Sequence, residues 1–81
     1  MQNREKMLKR VTSNPSILAG KPTIRGLRIS VEQILEALSS GVPQEDLLND
    51  YPELEPEDIQ AALAYAAERI AEEDVYPIEI G

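Results

Sequence analysis

The sequence predicts a small, mainly α-helical fold in which three helices follow a turn-rich segment with short strands. Apolar residues recur at helical spacing over residues 31–38 and again over residues 59–70. Ser30, Pro43 and Pro56 stand where helices would begin, and Gly41 stands where the first would end. At 81 residues the chain has room for one domain with a modest core.

The first 29 residues are predicted to form a basic arm and a small hairpin-like unit. Residues 1–10 alternate in charge and offer few apolar anchors, so we expect a basic N-terminal arm that is either loose or folded into a short helix. Prolines and glycines then divide the chain into short apolar pairs, which is typical of tight turns between very short strands. The candidate strands are Val11-Thr12, Thr23-Ile24 and Arg28-Ile29.

Local signals define the three helices. Ser30 is predicted to cap a helix over residues 31–39, with Gln33 reaching back in a capping box, and Gly41 to supply the left-handed stop. Pro43 opens a second helix over residues 43–50, and Pro56 a third over residues 56–73. We therefore expect a trihelical, homeodomain-like unit whose second and third helices form a helix-turn-helix. It belongs to one domain over residues 11–73, preceded by the arm 1–10 and followed by an extended acidic tail 74–81.

The net charge of −7 is divided unevenly along the chain. Residues 1–28 hold seven of the eight Lys and Arg residues and one carboxylate, whereas residues 29–81 hold Arg69 and fourteen carboxylates. A basic segment joined to an acidic body indicates a polyanion as one partner and a different surface for another. For the acidic part alone, a solvated surface that keeps a small domain soluble is the simpler interpretation.

Composition excludes several kinds of chemistry. The chain has no Cys and no His, which removes disulfides, thiolate and imidazole catalysis and the usual zinc ligands. The carboxylate pairs lack calcium-loop spacing and no phosphate-binding glycine loop occurs, so we expect no enzyme activity, no cofactor and no metal site. No run of about 18 apolar residues and no signal peptide is present, which predicts a cytoplasmic protein without a membrane segment.

Several motifs in order resemble a known family. Over roughly Val11 to Ala67, turn residues, cations and helix starts follow the pattern of the bacterial domain of unknown function family DUF433. The motifs are Asn14-Pro15, Gly20-Lys21-Pro22, Arg25-Gly26-Leu27-Arg28-Ile29, Val31, Gly41-Val42-Pro43, Tyr51-Pro52-Glu53-Leu54, Glu57-Asp58-Ile59 and Ala62-Leu63-Ala64-Tyr65-Ala66. The resemblance implies the antitoxin of a toxin–antitoxin pair, VapB-like, with a PIN-like ribonuclease as the toxin.

The expected function is therefore an antitoxin that also binds its own operator DNA as an autoregulator. The acidic first turn of the third helix, Glu57 and Asp58, would repel phosphates, so the DNA contacts are assigned to cations on the turns and arm. These are Lys9, Arg10, Lys21, Arg25 and Arg28. Two other uses remain open for the arginines: an internal pair, such as Arg28 with Glu32, or insertion into the carboxylate-lined site of the toxin.

Partners other than DNA are expected at two places. We expect a homodimer built partly from the segment before Ser30, because a short, proline-broken sheet leaves an edge that a second copy can pair. Tyr76, Ile78 and Ile80 alternate with polar residues or Pro77 and are assigned to toxin binding by strand addition, with folding back on the domain as the alternative. A protein–protein adaptor without nucleic-acid binding is the alternative function.

Overall fold

The computed structural model describes residues 4–72 and forms a mainly helical domain with a short two-stranded antiparallel sheet. Four helices are present in this range. Three are those predicted after Ser30, and the fourth is the short helix that was one of the two states expected for the N-terminal arm. The elements are α1 (Arg4–Leu8), β1 (Val11–Thr12), a 3-10 turn (Leu18–Gly20), β2 (Thr23–Ile24), α2 (Val31–Ser39), α3 (Gln44–Asp50) and α4 (Pro56–Glu72).

The sheet lies where the sequence predicts it. Strands β1 and β2 are antiparallel, with Val11 opposite Ile24 and Thr12 opposite Thr23. The third candidate strand, Arg28-Ile29, does not form. In its place the Ile24 amide donates to the Ile29 carbonyl at 3.0 Å, and the next residue, Ser30, makes an isolated bridge with Thr23. The chain therefore passes from a minimal sheet directly into α2.

Helix α2 begins and ends at its predicted caps. The Ser30 hydroxyl accepts from the Gln33 amide at 3.0 Å, as expected for an N-cap. The Gln33 side chain does not complete the capping box, because its amide donates to the Tyr51 hydroxyl at 2.7 Å and so joins α2 to the end of α3. Gly41 has φ +90°, and the amides of Gly41 and Val42 donate to Leu38 and Ala37, which is a Schellman motif.

The two later helices match their predicted bounds to about one residue. Pro43 occupies the N-cap of α3 instead of its first helical position, and the helix ends at Asp50, before Tyr51 and Pro52. Helix α4 runs through Glu72, and residue 73, the predicted last residue, lies outside the described range.

The core lies between the sheet and helices α2, α3 and α4. Its largest fully buried apolar side chains are Ile24, Ile34 and Ile59, one from β2 and one each from α2 and α4. Helix α1 packs along α4, where Arg4 Nε lies 3.0 Å from Glu68 Oε2. The first turn of the chain is thereby placed beside the last helix.

None of the helices described within residues 4–72 has both the length and the apolar character that crossing a membrane requires.

Candidate functional site

The most elaborate polar arrangement surrounds Asp58, in the first turn of α4. Its side chain is fully buried and receives four hydrogen bonds. Arg25 donates from Nε to Oδ1 at 3.0 Å and from Nη2 to Oδ2 at 2.7 Å, so this pair is bidentate. Arg10 Nη1 adds a contact to Oδ1 at 2.9 Å, and the Glu55 amide donates to Oδ2 at 2.8 Å. We call Arg10, Arg25, Glu55 and Asp58 the arginine–aspartate cluster.

Local backbone structure brings these side chains together. Asp58 lies three residues after Glu55, so its carboxylate satisfies an amide at the start of α4. Arg25 and Gly26 have φ of +46° and +74°, and the Leu27 amide donates to the Ile24 carbonyl at 2.7 Å. Two central residues with positive φ define a type I′ turn, in which a non-glycine residue is strained. The backbone at Arg25 is strained, but its side chain makes the bidentate contact with Asp58.

The cluster joins three distant parts of the chain. The Arg25 amide donates to the Arg10 carbonyl at 2.8 Å, and Arg25 Nη2 also donates to the Glu53 carbonyl at 2.7 Å. Arg10 Nη1 lies 2.9 Å from Glu55 Oε1 as well as from Asp58. The cluster therefore holds together the segment after α1, the turn after β2 and the start of α4.

The charges in the cluster stabilise one another. Burial by itself would raise the pKa of Asp58, but the hydrogen bonds from Arg25, the Glu55 amide and Arg10 outweigh burial and hold this pKa below its ordinary value. The pKa of Arg10 is raised by its hydrogen bonds to Glu55 and Asp58, and that of Arg25 by its hydrogen bond to Asp58. Two guanidinium groups thus balance two carboxylates, and the cluster adds no net charge.

The five cations assigned to DNA from the sequence fall into three groups. Arg10 and Arg25 belong to the arginine–aspartate cluster and are 30% and 35% exposed at the side chain. Lys21 Nζ lies 3.1 Å from Glu32 Oε1 in an exposed pair. Lys9 and Arg28 are exposed and form no ion pair with another residue of the range 4–72.

The structure also bears on the predicted Arg28–Glu32 pair and on the range that contains the predicted toxin contacts. Glu32, suggested as a partner for Arg28, contacts Lys21 instead. The residues assigned to the toxin, Tyr76, Ile78 and Ile80, lie outside the described residues, as does the rest of the tail 74–81.

The role of Asp58 was missed. From the sequence, Glu57 and Asp58 were expected to act alike, as acidic residues of a first helical turn that would repel phosphates. In the structure, Glu57 is exposed and Asp58 is buried. The sequence contained one local signal for this role. Asp58 lies three residues after Glu55, the residue that precedes the helix, and an acidic residue at that position can accept a hydrogen bond from the N-cap amide. No local signal indicates that Arg10 and Arg25, 48 and 33 positions away, would reach it.

The fold and the cluster define a class: a small helical domain with an N-terminal two-stranded sheet whose turn is anchored by a buried carboxylate. The family model described as "Protein of unknown function (DUF433)" matches residues 11–66, and the chain belongs to this family. That membership confirms the family resemblance found in the sequence motifs.

Two similar proteins illustrate the family, one found by sequence and one by structure. The uncharacterized protein y4eO of Sinorhizobium fredii (strain NBRC 101917 / NGR234) is 39% identical over 56 residues, which are 69% of this chain but 25% of that protein. The chain thus spans about a quarter of the length of this relative. The crystal structure of a DUF433 member from Anabaena variabilis ATCC 29413 superposes with a TM-score of 0.72 at 30% identity, covering 84% of this chain and 68% of that one.

Proposed function

We propose that this protein is an antitoxin and a DNA-binding autoregulator that neutralises a PIN-like ribonuclease toxin. The observation that supports the DNA-binding part is the placement of Lys9 and Arg28. Both are exposed, lie in the basic segment and are not neutralised by a carboxylate within residues 4–72. Phosphates favour such cations, because each contact releases counterions from the nucleic acid.

Arg10 and Arg25 have a supporting role in this proposal. Asp58 already fixes both guanidinium groups, so a contact with phosphate would cost these side chains less conformational entropy. The contacts of Arg25 within the described range use Nε and Nη2, which leaves Nη1 available to a ligand. Because the cluster carries no net charge, we expect Arg10 and Arg25 to orient DNA and Lys9 and Arg28 to supply most of the salt-dependent affinity.

We further propose that α2, α3 and α4 act as a homeodomain-like trihelical unit, with α3 and α4 as its helix-turn-helix. Residues 51–55 join α3 to α4, and the connection and the following turn expose Glu53, Glu55 and Glu57. These carboxylates would repel phosphates, so α4 serves as a scaffold for the basic turns and does not enter a groove of the DNA.

Operator binding is tested with a duplex from the region upstream of the chain's own gene, by fluorescence anisotropy at several salt concentrations. Lys9→Ala and Arg28→Ala should each weaken binding and lower the log–log salt slope by roughly 0.9. Gln60→Ala is the control, because Gln60 is exposed on α4 and lies outside the basic segment. Unchanged affinity and slope for both variants would contradict the DNA-binding proposal.

Toxin binding is assigned to the tail, with Tyr76, Ile78 and Ile80 as the contacts. The protein is further proposed to act as a homodimer, and the segment before Ser30 is one candidate for its interface. Calorimetry with the product of an adjacent nuclease-like gene tests the tail: substituting the three residues by Ser should abolish binding and leave the thermal unfolding of the domain unchanged. Unchanged toxin affinity would contradict the tail assignment.

A protein–protein adaptor without nucleic-acid binding is the second candidate, and the internal neutralisation of Arg10 and Arg25 favours it. If operator-length DNA of any sequence fails to bind while a protein partner does, this alternative replaces the first.

A further inference from the structure

An open apolar groove of about 540 Å³ runs between α2 and α4, on a face that the arginine–aspartate cluster does not use. Among its apolar lining residues, Ile70 is 62% exposed, an unusual position for a large aliphatic side chain. The apolar residues that line the groove on α2 and α4 are Val31, Leu35, Tyr65, Ala66 and Ile70. Covering such a surface with another chain lowers the free energy, because apolar area is removed from water.

The rim of the groove has charges of both signs on opposite helices. Glu32 and Glu36 lie on the α2 side and Arg69 on the α4 side. Arg69 is the single Lys or Arg in residues 29–81. It lies 3.5 Å from Glu72 with both side chains more than 60% exposed, a geometry that contributes little and is easily exchanged. Glu36 is exposed and forms no ion pair within the described part of the chain.

We propose that a second copy of this chain covers the groove in a two-fold symmetric dimer. In a two-fold dimer the same surface is used by both protomers, so a contact from one residue to a second is repeated in the opposite direction. The surface must therefore be complementary to itself. This surface does: Ile70 of one protomer can enter the groove of the other, while Arg69 reaches the partner's Glu36. Ala66, which lines the groove and has a small side chain, permits the two α4 helices to approach closely.

Charge and core size favour this occupant over the others. The chain's own tail contains Glu73, Asp74 and Glu79, which would place carboxylates against the acidic α2 rim. The segment before Ser30 offers strands of only two residues, so edge pairing there would bury little surface. A domain of 81 residues also buries a smaller fraction of its surface than a larger one, so it gains more from association.

The test is sedimentation velocity on the full chain, with charge reversal and rescue. We expect the native chain to be a dimer at micromolar concentration. Glu36→Arg and Arg69→Glu should each raise the dimer dissociation constant about tenfold or more, because both symmetric pairs become repulsive. The double variant Glu36→Arg with Arg69→Glu restores both pairs with the signs exchanged and should return the dissociation constant towards the native value.

An apolar pair of variants provides the matched control. Ile70→Ser removes the side chain proposed to enter the partner's groove and should weaken the dimer, whereas Leu63→Ser, 40% exposed on the same helix but outside the groove, should not. Circular dichroism melting verifies that each variant is folded.

A native chain that is monomeric at high micromolar concentration overturns the inference. So does a dimer that tolerates all of these variants, which would return the interface to the segment before Ser30, and so does a loss that the double variant fails to rescue. The proposed function is tested separately: a monomer that binds DNA overturns the groove dimer alone, and a groove dimer without DNA affinity overturns the DNA-binding proposal alone.

Discussion

The two ends of helix α4 handle charge in opposite ways. In the first turn, Asp58 is fully buried and receives bonds from two arginines and a backbone amide. In the last turn, Arg69 and Glu72 are 63% and 64% exposed and lie 3.5 Å apart. Both are Arg–carboxylate pairs, but the first fixes three segments of the chain and the second joins neighbours on one helix.

Burial, and not the mere presence of opposite charges, decides what an ion pair contributes to stability. A buried carboxylate that loses its partners is left uncompensated in an apolar environment, which is expensive. An exposed pair that breaks exchanges its partner for water at little cost. Substitutions at Asp58 should therefore cost more stability than substitutions at Glu72.

Asp58→Ala should lower the free energy of unfolding by about 3 kcal/mol, because two arginines and the amide at the start of α4 lose their acceptor. The arginines are partly exposed and recover some hydration, so we do not expect a larger loss. Urea denaturation followed by circular dichroism measures the change. Glu57→Ala, at the exposed neighbouring position, should shift stability by less than about 0.5 kcal/mol, and an equal loss in both variants would contradict the assignment.

Stability should fall on acidification because Asp58 is ionised in the fold. Its folded-state pKa lies below its ordinary value, so the cluster's contribution is complete above the unfolded-state pKa of about 3.9 and is lost as the pH falls through the folded-state pKa. Thermal unfolding between neutral pH and the acid limit of solubility measures this. Asp58→Asn should lose less stability than the native protein as the pH falls. A parallel decline in both proteins would show that Asp58 is not the source of the acid sensitivity.

Arg25 separates backbone strain from charge. Arg25→Ala keeps the strained positive φ and loses the bidentate pair, whereas Arg25→Gly loses the same pair but relieves the turn. The glycine variant should therefore be about 1 kcal/mol more stable than the alanine variant, by chemical denaturation. If alanine is the more stable of the two, Arg25 is not strained in solution.

Glu72→Gln removes the exposed pair with Arg69 and should change stability by less than about 0.5 kcal/mol. Differential scanning calorimetry at low and moderate salt tests it. A loss comparable to that of Asp58→Ala would mean that exposure does not govern these pairs.

Local signals predicted the elements of this fold and could not predict their long-range pairing. Ser30, Gly41 and Pro56 act within one helical turn, and each marks a boundary that the structure has. The packing of α1 on α4 and the joining of Arg10 and Arg25 to Asp58 depend on tertiary folding. A cation on a turn has the same local sequence whether it meets DNA, a toxin or a buried carboxylate, so the sequence could not single out Arg10 and Arg25 as the partners of Asp58.

The contact between Arg4 and Glu68 has a consequence for how the chain folds. These residues are 64 positions apart, so the first helix finds its place only after nearly the whole chain has closed into a loop. Loop closure costs entropy before its contacts form, and a high average sequence separation of contacts slows folding. Helices α2 to α4, joined by short connections, have no such requirement. We therefore expect α2 to α4 to assemble early and α1 to dock late, so that substitutions in α1 accelerate unfolding more than they slow folding.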